Sequence, residues 1–196
     1  LIEKINKKIV IVNLGGIANL TCLKNNKLIA FDIGPANCLI DDYTKQEINK
    51  NYDNKGILAS KGKLNNKILK IFLNNNFFKK KFPKSLDREY FMKYLKLVKK
   101  LNNNDALHTL STFTAYSVKI GIELLNMKFD KILFTGGGRK NIFIINKIKE
   151  LLNIDVENID KYNFNGDLLE AQAFAYISIR SIKKLPISSK YTTGVS

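Results

Sequence analysis

The sequence predicts an α/β fold, a mixed sheet flanked by helices, and three observations carry that expectation. Apolar runs of strand length crowd together near the start, longer segments with helical periodicity follow, and strand, turn and helix alternate toward the end. Three glycine turns, Asn13-Leu14-Gly15-Gly16, Asp32-Ile33-Gly34-Pro35 and Thr135-Gly136-Gly137-Gly138, each follow a short apolar strand.

Taken in order, residues 9–13, 17–23 and 28–31 read as strands. The tight turn Lys24-Asn25-Asn26-Lys27 joins the last two into an antiparallel meander. Residues 36–47 place Leu39, Ile40 and Tyr43 at helical spacing, and residues 56–73 do the same with Leu58, Leu64, Ile68, Leu69 and Phe72, so each predicts a helix. Residues 74–87 read as a polar, aromatic and proline-bearing loop before a helix that starts near Asp87. A longer helix is expected over residues 105–126, with Ala106, Leu110, Phe113, Ala115, Val118 and Ile122 to bury. The clearest strand-turn-helix unit joins strand 131–134, the glycine triplet and helix 141–152. A short strand at 154–156 and a last helix from Asp167 to about Lys184 complete the order. That helix carries Leu168, Ala171, Phe174, Ala175 and Ile179 on one stripe. Strands, helices, strand, helix, strand, helix is a mixed-sheet pattern rather than an all-parallel one.

With 196 residues, 45% of them hydrophobic, the chain fits one domain or one large lobe with a real core. Its apolar runs are too short to span a bilayer and no secretory leader opens it, so the expected setting is cytoplasmic, without a membrane partner. Cys22 and Cys38 lack CxxC spacing, and a single histidine, His108, cannot complete a zinc set with them. Two buried thiols and no dedicated metal site are expected. The net charge of +16 raises nucleic acid as a partner, but the lysines are dispersed and the one dense run, Lys79-Lys80-Lys81, stands beside no nucleic-acid motif. A solvated basic face is the simpler reading. The chain opens at Leu1 and has no methionine before Met92, from which a further segment upstream is expected.

Glycine lets backbone N–H groups converge on an anionic oxygen with no Cβ in the way. Any one of the three turns alone reads more readily as an ordinary hairpin; their combination points to a phosphate-binding cleft. Asp32 is placed to act as a general base held at the sheet's edge, or to cap the following helix or close an Asx-turn. Asp41 and Asp42 either help hold a metal-nucleotide complex or complement a helix dipole. Gly15 and Gly16, with Asn13 and Asn19, are candidates to wrap terminal phosphates, and Gly136, Gly137 and Gly138 to approach the adenosine or α-phosphate. Gly34 and Asn37, in the neighbourhood of Asp32, are further candidates for binding the nucleotide. There is no GxxxxGK[ST], and GGG is not GxGxxG, so P-loop and Rossmann readings fail.

The ordered strings Asn13-Leu14-Gly15-Gly16-Ile17-Ala18-Asn19-Leu20-Thr21, Phe31-Asp32-Ile33-Gly34-Pro35-Ala36-Asn37-Cys38-Leu39-Ile40-Asp41, Pro83-Lys84-Ser85 with Arg88-Glu89-Tyr90-Phe91, Gly136-Gly137-Gly138, and Glu170-Ala171-Gln172-Ala173-Phe174-Ala175-Tyr176 with Thr192-Thr193-Gly194-Val195 resemble the anhydro-N-acetylmuramic acid kinases. The chain is similar to the C-terminal lobe of that family's two-lobed actin-like ATPase (ribonuclease H-like) fold, over nearly its whole length. It departs from the family's usual pattern at Ala36, at Asp87 and in Arg139-Lys140-Asn141. The resemblance implies ATP-dependent opening of the 1,6-anhydro ring, with phosphate delivered to O6, in peptidoglycan recycling and amino-sugar catabolism. It implies Asp32 as the catalytic aspartate that activates water, Gly15 and Gly16 as the second phosphate turn, Gly136 to Gly138 as the adenosine-side turn, and Mg²⁺ with the ATP. It further implies an amino-sugar substrate, a dimer, and an N-terminal lobe that this chain lacks, so that the chain alone is expected to be inactive. A different class of reading is a non-catalytic half-domain whose basic surface takes an acidic partner.

Overall fold

The computed structural model describes residues 8–194. Strands β1 (Ile9–Leu14), β2 (Ile17–Lys24) and β3 (Lys27–Pro35) form the expected antiparallel meander, and β4 (Lys131–Thr135) and β5 (Asp155–Asn158) join it to make one sheet in the order β3-β2-β1-β4-β5. β4 runs parallel to β1 and β5 parallel to β4, so the sheet is mixed as predicted.

Alternation along β1 explains why its residues are apolar on both sides. Val10, Val12 and Leu14 face the large core, while Ile9 joins Leu133 and Ile159 in a smaller cluster on the second face, with Ile11, Tyr162 and Leu169 packed against it. The first face is covered by α1 (Asn37–Ile48), α6 (Asn103–Leu124) and α7 (Ile142–Leu152). α6 starts where the side chain of Asn102 accepts the backbone N–H of Asp105 at 3.0 Å, and it runs down the middle of the core. Gly121 lets it approach β3, since a Cβ there would stand 2.6 Å from Cβ of Ile33. Earlier in α6, Thr114 Oγ1 donates to the carbonyl of Ala36 at 3.1 Å and fixes the corner that leads from β3 into α1.

The structure corrects the sequence reading in several places. The single helix expected over 56–73 is broken in two. The Asp53 carboxylate accepts the N–H groups of Leu58 and Ala59, each at 2.9 Å, and so caps the short α2 (Ile57–Ser60). Asn65 then caps α3 (Asn66–Leu73) by accepting Ile68 N–H at 3.0 Å. Between the two, Gly62 lies directly against the backbone of Asn104 and Asp105, where no side chain fits. The loop expected over 74–87 holds α4 (Asn76–Lys79), whose Phe77 and Phe78 are buried among Phe91 and Phe113. The helix expected from Asp87 opens as a 3-10 segment, Arg88–Tyr94, and becomes α-helical only in α5 (Leu95–Val98). β3 runs on through Pro35, so Asp32 lies inside an edge strand rather than at a strand end. The last helix, α8 (Leu169–Ile182), buries none of its residues, whereas its apolar stripe predicts a buried face. Of the motif Thr192-Thr193-Gly194-Val195, the valine lies outside the described residues.

Candidate functional site

Strand register assembles the candidate site. Asp32 of β3 pairs with Asn19 of β2, Asn19 with Asn13 of β1, and Asn13 with Thr135 of β4, so four polar residues form one row across the second face of the sheet. Sequence reasoning singled out three of them. Thr135 was not chosen, although a threonine ending an otherwise apolar strand just before three glycines is a readable signal. Its hydroxyl donates to Asn13 Oδ1 at 3.1 Å, which ties the row together across the parallel pair.

The row opens onto two cavities near the carboxyl ends of β1 and β4, where open α/β sheets bind their ligands, and a third adjoins the central one at Gly137. The central one, about 520 Å³, is lined by Asn13, Gly15, Asn19, Thr135, Gly136 and Gly137. One of about 470 Å³ holds Asp32 with Asn19, Lys84, Ser85, Thr192 and Thr193. The third, about 330 Å³, is lined by Asn37, Asp41, Tyr52, Asp53, Gly137 and Gly138. Asn19 belongs to the first two and Gly137 to the central and third, so the cavities form a continuous trough.

Asp32 is gripped by the loop that follows α4. Its N–H donates to Lys84 O at 2.9 Å, and its Oδ2 accepts Leu86 N–H at 2.8 Å. The loop is itself pinned, because Lys84 Nζ donates to Phe77 O at 3.1 Å and lies over the Phe77 ring, while Phe82 stacks on Phe31 at 4.9 Å. One carboxylate oxygen is therefore occupied and the other has no protein donor among the described residues, in a group that caps no helix. Burial pushes its carboxyl above the usual range, against the opposing pull of the Leu86 N–H.

The two remaining glycine turns are interlocked. The carbonyl of Gly15 accepts Asn37 N–H at 3.0 Å, and that of Gly16 accepts Ala36 N–H at 3.0 Å and Cys38 N–H at 3.1 Å. The Asn37 amide donates to Leu14 O at 3.0 Å and Gly15 O at 2.9 Å. Asn37 thus fixes the shape of the first turn, and the N–H groups at the start of α1 are spent on that turn. Gly136, at φ 75°, and Gly138 pack on Leu14 and Asn13, where side chains would collide, whereas a Cβ on Gly137 would meet nothing within 4 Å. Gly34 faces α6 instead of the trough, its missing Cβ 2.6 Å from that of Ser117.

A residue the sequence reading did not single out anchors the glycine triplet. Arg139, its side chain 4% exposed, donates to Gly136 O at 2.9 Å, to Asp160 Oδ2 at 2.7 Å and to Asp167 Oδ1 at 2.7 Å. It binds the turn after β4 to the segment entering α8, and Gly166 lies against its guanidinium. The signal was only an arginine beside glycines, whose partners lie 21 and 28 residues further on.

Asp41 faces the third cavity and lies beyond the first turn of α1, so it is not a dipole complement; Asp42 is engaged with Arg88 at 2.8 Å. Burial first, and then the Asp42 charge, push the Asp41 carboxyl up to about 6, with Arg88 opposing. A carboxyl with a raised pKa holds its proton better in the folded state. Its contribution to stability is therefore full below the unfolded pKa of 3.8 and is lost as pH rises through about 6. Asp41→Asn is expected to stabilise the fold by about 1–2 kcal/mol near neutral pH, the shift being discounted for partial exposure, and to change little at about pH 4. Urea unfolding at the two pH values checks this; an equal gain at both would remove the titration from the account.

Cys22 and Cys38 are buried free thiols, as expected, each pushed up to about 11 by burial. Among the described residues no group of three His, Cys, Asp or Glu side chains converges, and no helix is long and apolar enough to cross a membrane. Mg²⁺ characteristically takes one or two carboxylates and fills its other positions with phosphate oxygens and water. Asp32 and Asp41 line separate cavities, so a metal arriving with a nucleotide would meet one of these carboxylates and take its remaining ligands from phosphate and water.

In comparison with solved structures, the fold is similar to the activator of the 2-hydroxyisocaproyl-CoA dehydratase from Clostridium difficile with bound ADPNP. The TM-score is 0.56 at 16% identity, over 94% of this chain and 66% of that one. It is also similar to component A of the Acidaminococcus fermentans (R)-2-hydroxyglutaryl-CoA dehydratase, with a TM-score of 0.51 at 14% identity, over 79% and 57% of the two chains. At these identities the likeness establishes the fold alone, that of the actin-like ATPases. Among curated relatives, the anhydro-N-acetylmuramic acid kinase of Zymomonas mobilis is 38% identical over 197 residues, covering 100% of this chain and 53% of the relative. The kinase of Ruegeria sp. is 38% identical over 192 residues, covering 94% and 51%. That of Rhizorhabdus wittichii is 39% identical over 190 residues, covering 96% and 52%. The chain spans about half the length of the curated relatives it matches. A family model described as anhydro-N-acetylmuramic acid kinase matches residues 1–196, and with it the motif strings and the glycine turns find one common explanation: the chain belongs to the anhydro-N-acetylmuramic acid kinase family.

Proposed function

We propose that this chain is the C-terminal lobe of a two-lobed, ATP-dependent sugar kinase of the cytoplasm. The kinase opens the 1,6-anhydro ring of anhydro-N-acetylmuramic acid and yields the 6-phosphate. The observation that carries this reading is the polar row Asp32, Asn19, Asn13 and Thr135, which links a half-buried carboxylate to two glycine turns along one trough.

Asp32 is held by backbone contacts on one side, which leaves its second oxygen to take a proton from water as that water adds to the anomeric carbon and the bond from C1 to O6 breaks. Asn19 and Asn13 orient the reacting groups between Asp32 and the turns. Gly15 and Gly16 let backbone approach the terminal phosphates, and the Gly136 to Gly138 turn lines the way to the third cavity, which takes the adenosine side. ATP with Mg²⁺ supplies the phosphoryl group for O6 and neutralises the charge that develops on it. Asp41, Asn37 and Tyr52 shape the cavity around the nucleoside.

Phosphoryl transfer rests on positioning and on charge stabilisation away from water. The test compares the 196-residue chain with a chimera in which this chain replaces the matched half of the Zymomonas mobilis relative. The chimera is expected to phosphorylate the anhydro-sugar and the chain alone to show no measurable turnover. Robust turnover by the chain alone, or a folded chimera with none, would overturn the reading.

A further inference from the structure

The positive charge of the chain is concentrated in one part of the fold. Residues 61–100 hold thirteen of its 33 Lys and Arg residues and two of its 17 Asp and Glu residues, a net +11 within a total of +16. Along the sequence these lysines are spaced out, and only Lys79-Lys80-Lys81 forms a run. Folding gathers them. α3, α4, the 3-10 segment and α5 close around one aromatic core, where Phe72 meets Tyr94 at 5.4 Å and Phe91 meets Phe77 at 6.1 Å and Phe78 at 5.9 Å. Leu69, Phe72, Phe77, Phe91, Leu95 and Val98 of this unit are buried, so its cations are left on the outside.

Twelve of the thirteen are exposed, and Lys84 is half-buried. Two of the twelve have a carboxylate partner among the described residues, Arg88 with Asp42 and Lys99 with Glu47, each at 2.8 Å. The other ten are lysines without an ion pair there, among them Lys67 and Lys70 on α3, Lys79, Lys80 and Lys81 at the end of α4, and Lys96 on α5. The crowding is felt at Lys84, whose ammonium is pushed down to about 8, first by burial and then by the charge of Lys80. Like charges gathered on one unit repel one another and gain nothing from the fold. A polyanion laid across them relieves that repulsion and releases its own condensed counterions. Of these cations only Lys84 lines the trough, so the basic face is a surface separate from the candidate kinase site.

The side chains select the kind of polyanion. An element that lies on a membrane carries an exposed apolar face to insert among the headgroups. Here only Ile71 and Tyr90, of the large apolar residues in the unit, are exposed, and Tyr90 is tied down by its hydroxyl bond to Asn75 Oδ1 at 3.1 Å and by Lys93 over its ring. Base edges in a groove are read chiefly by forked groups such as guanidinium, and the one arginine of the unit, Arg88, is held by Asp42. Lysines are point charges that suit a phosphate whatever base it carries. We propose that this face binds the phosphodiester backbone of nucleic acid without reading its sequence.

Fluorescence anisotropy of a fluorescein-labelled, mixed-sequence RNA of about 20 nucleotides tests it, with the 196-residue chain and with the Zymomonas mobilis chimera. Binding at about 1–10 μM in roughly 0.1 M salt is expected, and the logarithm of affinity should fall against the logarithm of salt with a slope of about −4, as for roughly six phosphates contacted on a single strand. A second RNA of different sequence is expected to bind within about twofold of the first. Lys79→Gln, Lys80→Gln and Lys81→Gln combined are expected to weaken binding about tenfold or more and to flatten the slope by about 2. Lys128→Gln, Lys149→Gln and Lys183→Gln combined remove the same charge outside the unit and are expected to change affinity less than about twofold. All six positions are exposed, so neither set of changes disturbs the core. Equal weakening by the two sets would reduce the effect to net charge and overturn the basic face as a site. Absence of binding by the chain and the chimera would overturn it too, as would binding by the chain that is lost in a folded chimera, which would place the other half of the kinase on this face. Binding to phosphatidylglycerol vesicles and not to the RNA would assign the face to a membrane and overturn the proposal.

Discussion

Asp32→Asn, placed in the chimera that completes the lobe, is expected to bind MgATP as before and to lose turnover by about 10²-fold or more, the order expected when a positioned general base is removed. The asparagine keeps the shape of the side chain, and its amide oxygen still accepts the Leu86 N–H that holds Asp32 at 2.8 Å, so the loop and the strand edge remain in place. What disappears is the free carboxylate oxygen that takes the proton. The pH profile separates this role from a structural one. Because burial raises the Asp32 carboxyl above 3.8, the parent enzyme loses turnover as pH falls through that raised value, while the base is converted to its protonated form. The residual activity of the asparagine variant should lack that limb. Unchanged turnover, measured with the anhydro-sugar, would remove Asp32 from the chemistry and leave it as the residue that anchors the loop at Lys84 to Leu86.

Much of this arrangement was legible in the sequence, for reasons that differ from element to element. β1, β2, β3 and β4 are short, apolar and bounded by turns, and local pattern is enough to find such strands. The register that aligns Asp32, Asn19, Asn13 and Thr135 followed from two tight connections and one parallel pairing, and only the last is non-local. Contacts made by side chains far apart in sequence were not legible. Gly62 breaks an expected helix where it packs on the backbone of Asn104 and Asp105, Phe77 and Phe78 turn a supposed polar loop into part of the core, and Arg139 finds its partners beyond α7 and β5. α8 is the instructive case in the other direction. Its periodicity reads as a buried face, and the structure leaves that face uncovered among the described residues, because periodicity marks an apolar stripe without showing what packs on it.

The glycine triplet allows fold and ligand to be separated by two substitutions one residue apart. Gly136→Ala is expected to destabilise the chain by about 2 kcal/mol or more, because φ there is 75° and the new Cβ would stand 2.8 Å from Leu14 O while overlapping Asn13 Oδ1. That strain falls on the contact that joins the ends of β1 and β4, so nucleotide binding should fail together with stability. Gly137→Ala differs in kind. Its backbone is not left-handed, and a methyl group would meet no protein atom within 4 Å, so the unfolding midpoint should move by no more than about 0.5 kcal/mol. Gly137 nevertheless lines both the central and the third cavity, the passage that a nucleotide would occupy from phosphate to adenosine. If backbone there approaches the ligand closely, the methyl group intrudes on the nucleotide alone, and MgATP affinity in the chimera should drop about tenfold or more while stability stays put. Calorimetric titration and chemical unfolding of the same two variants read the two effects independently. Full MgATP affinity in Gly137→Ala would mean that the nucleotide does not pass this turn, and the adenosine side of the site would have to lie elsewhere along the trough.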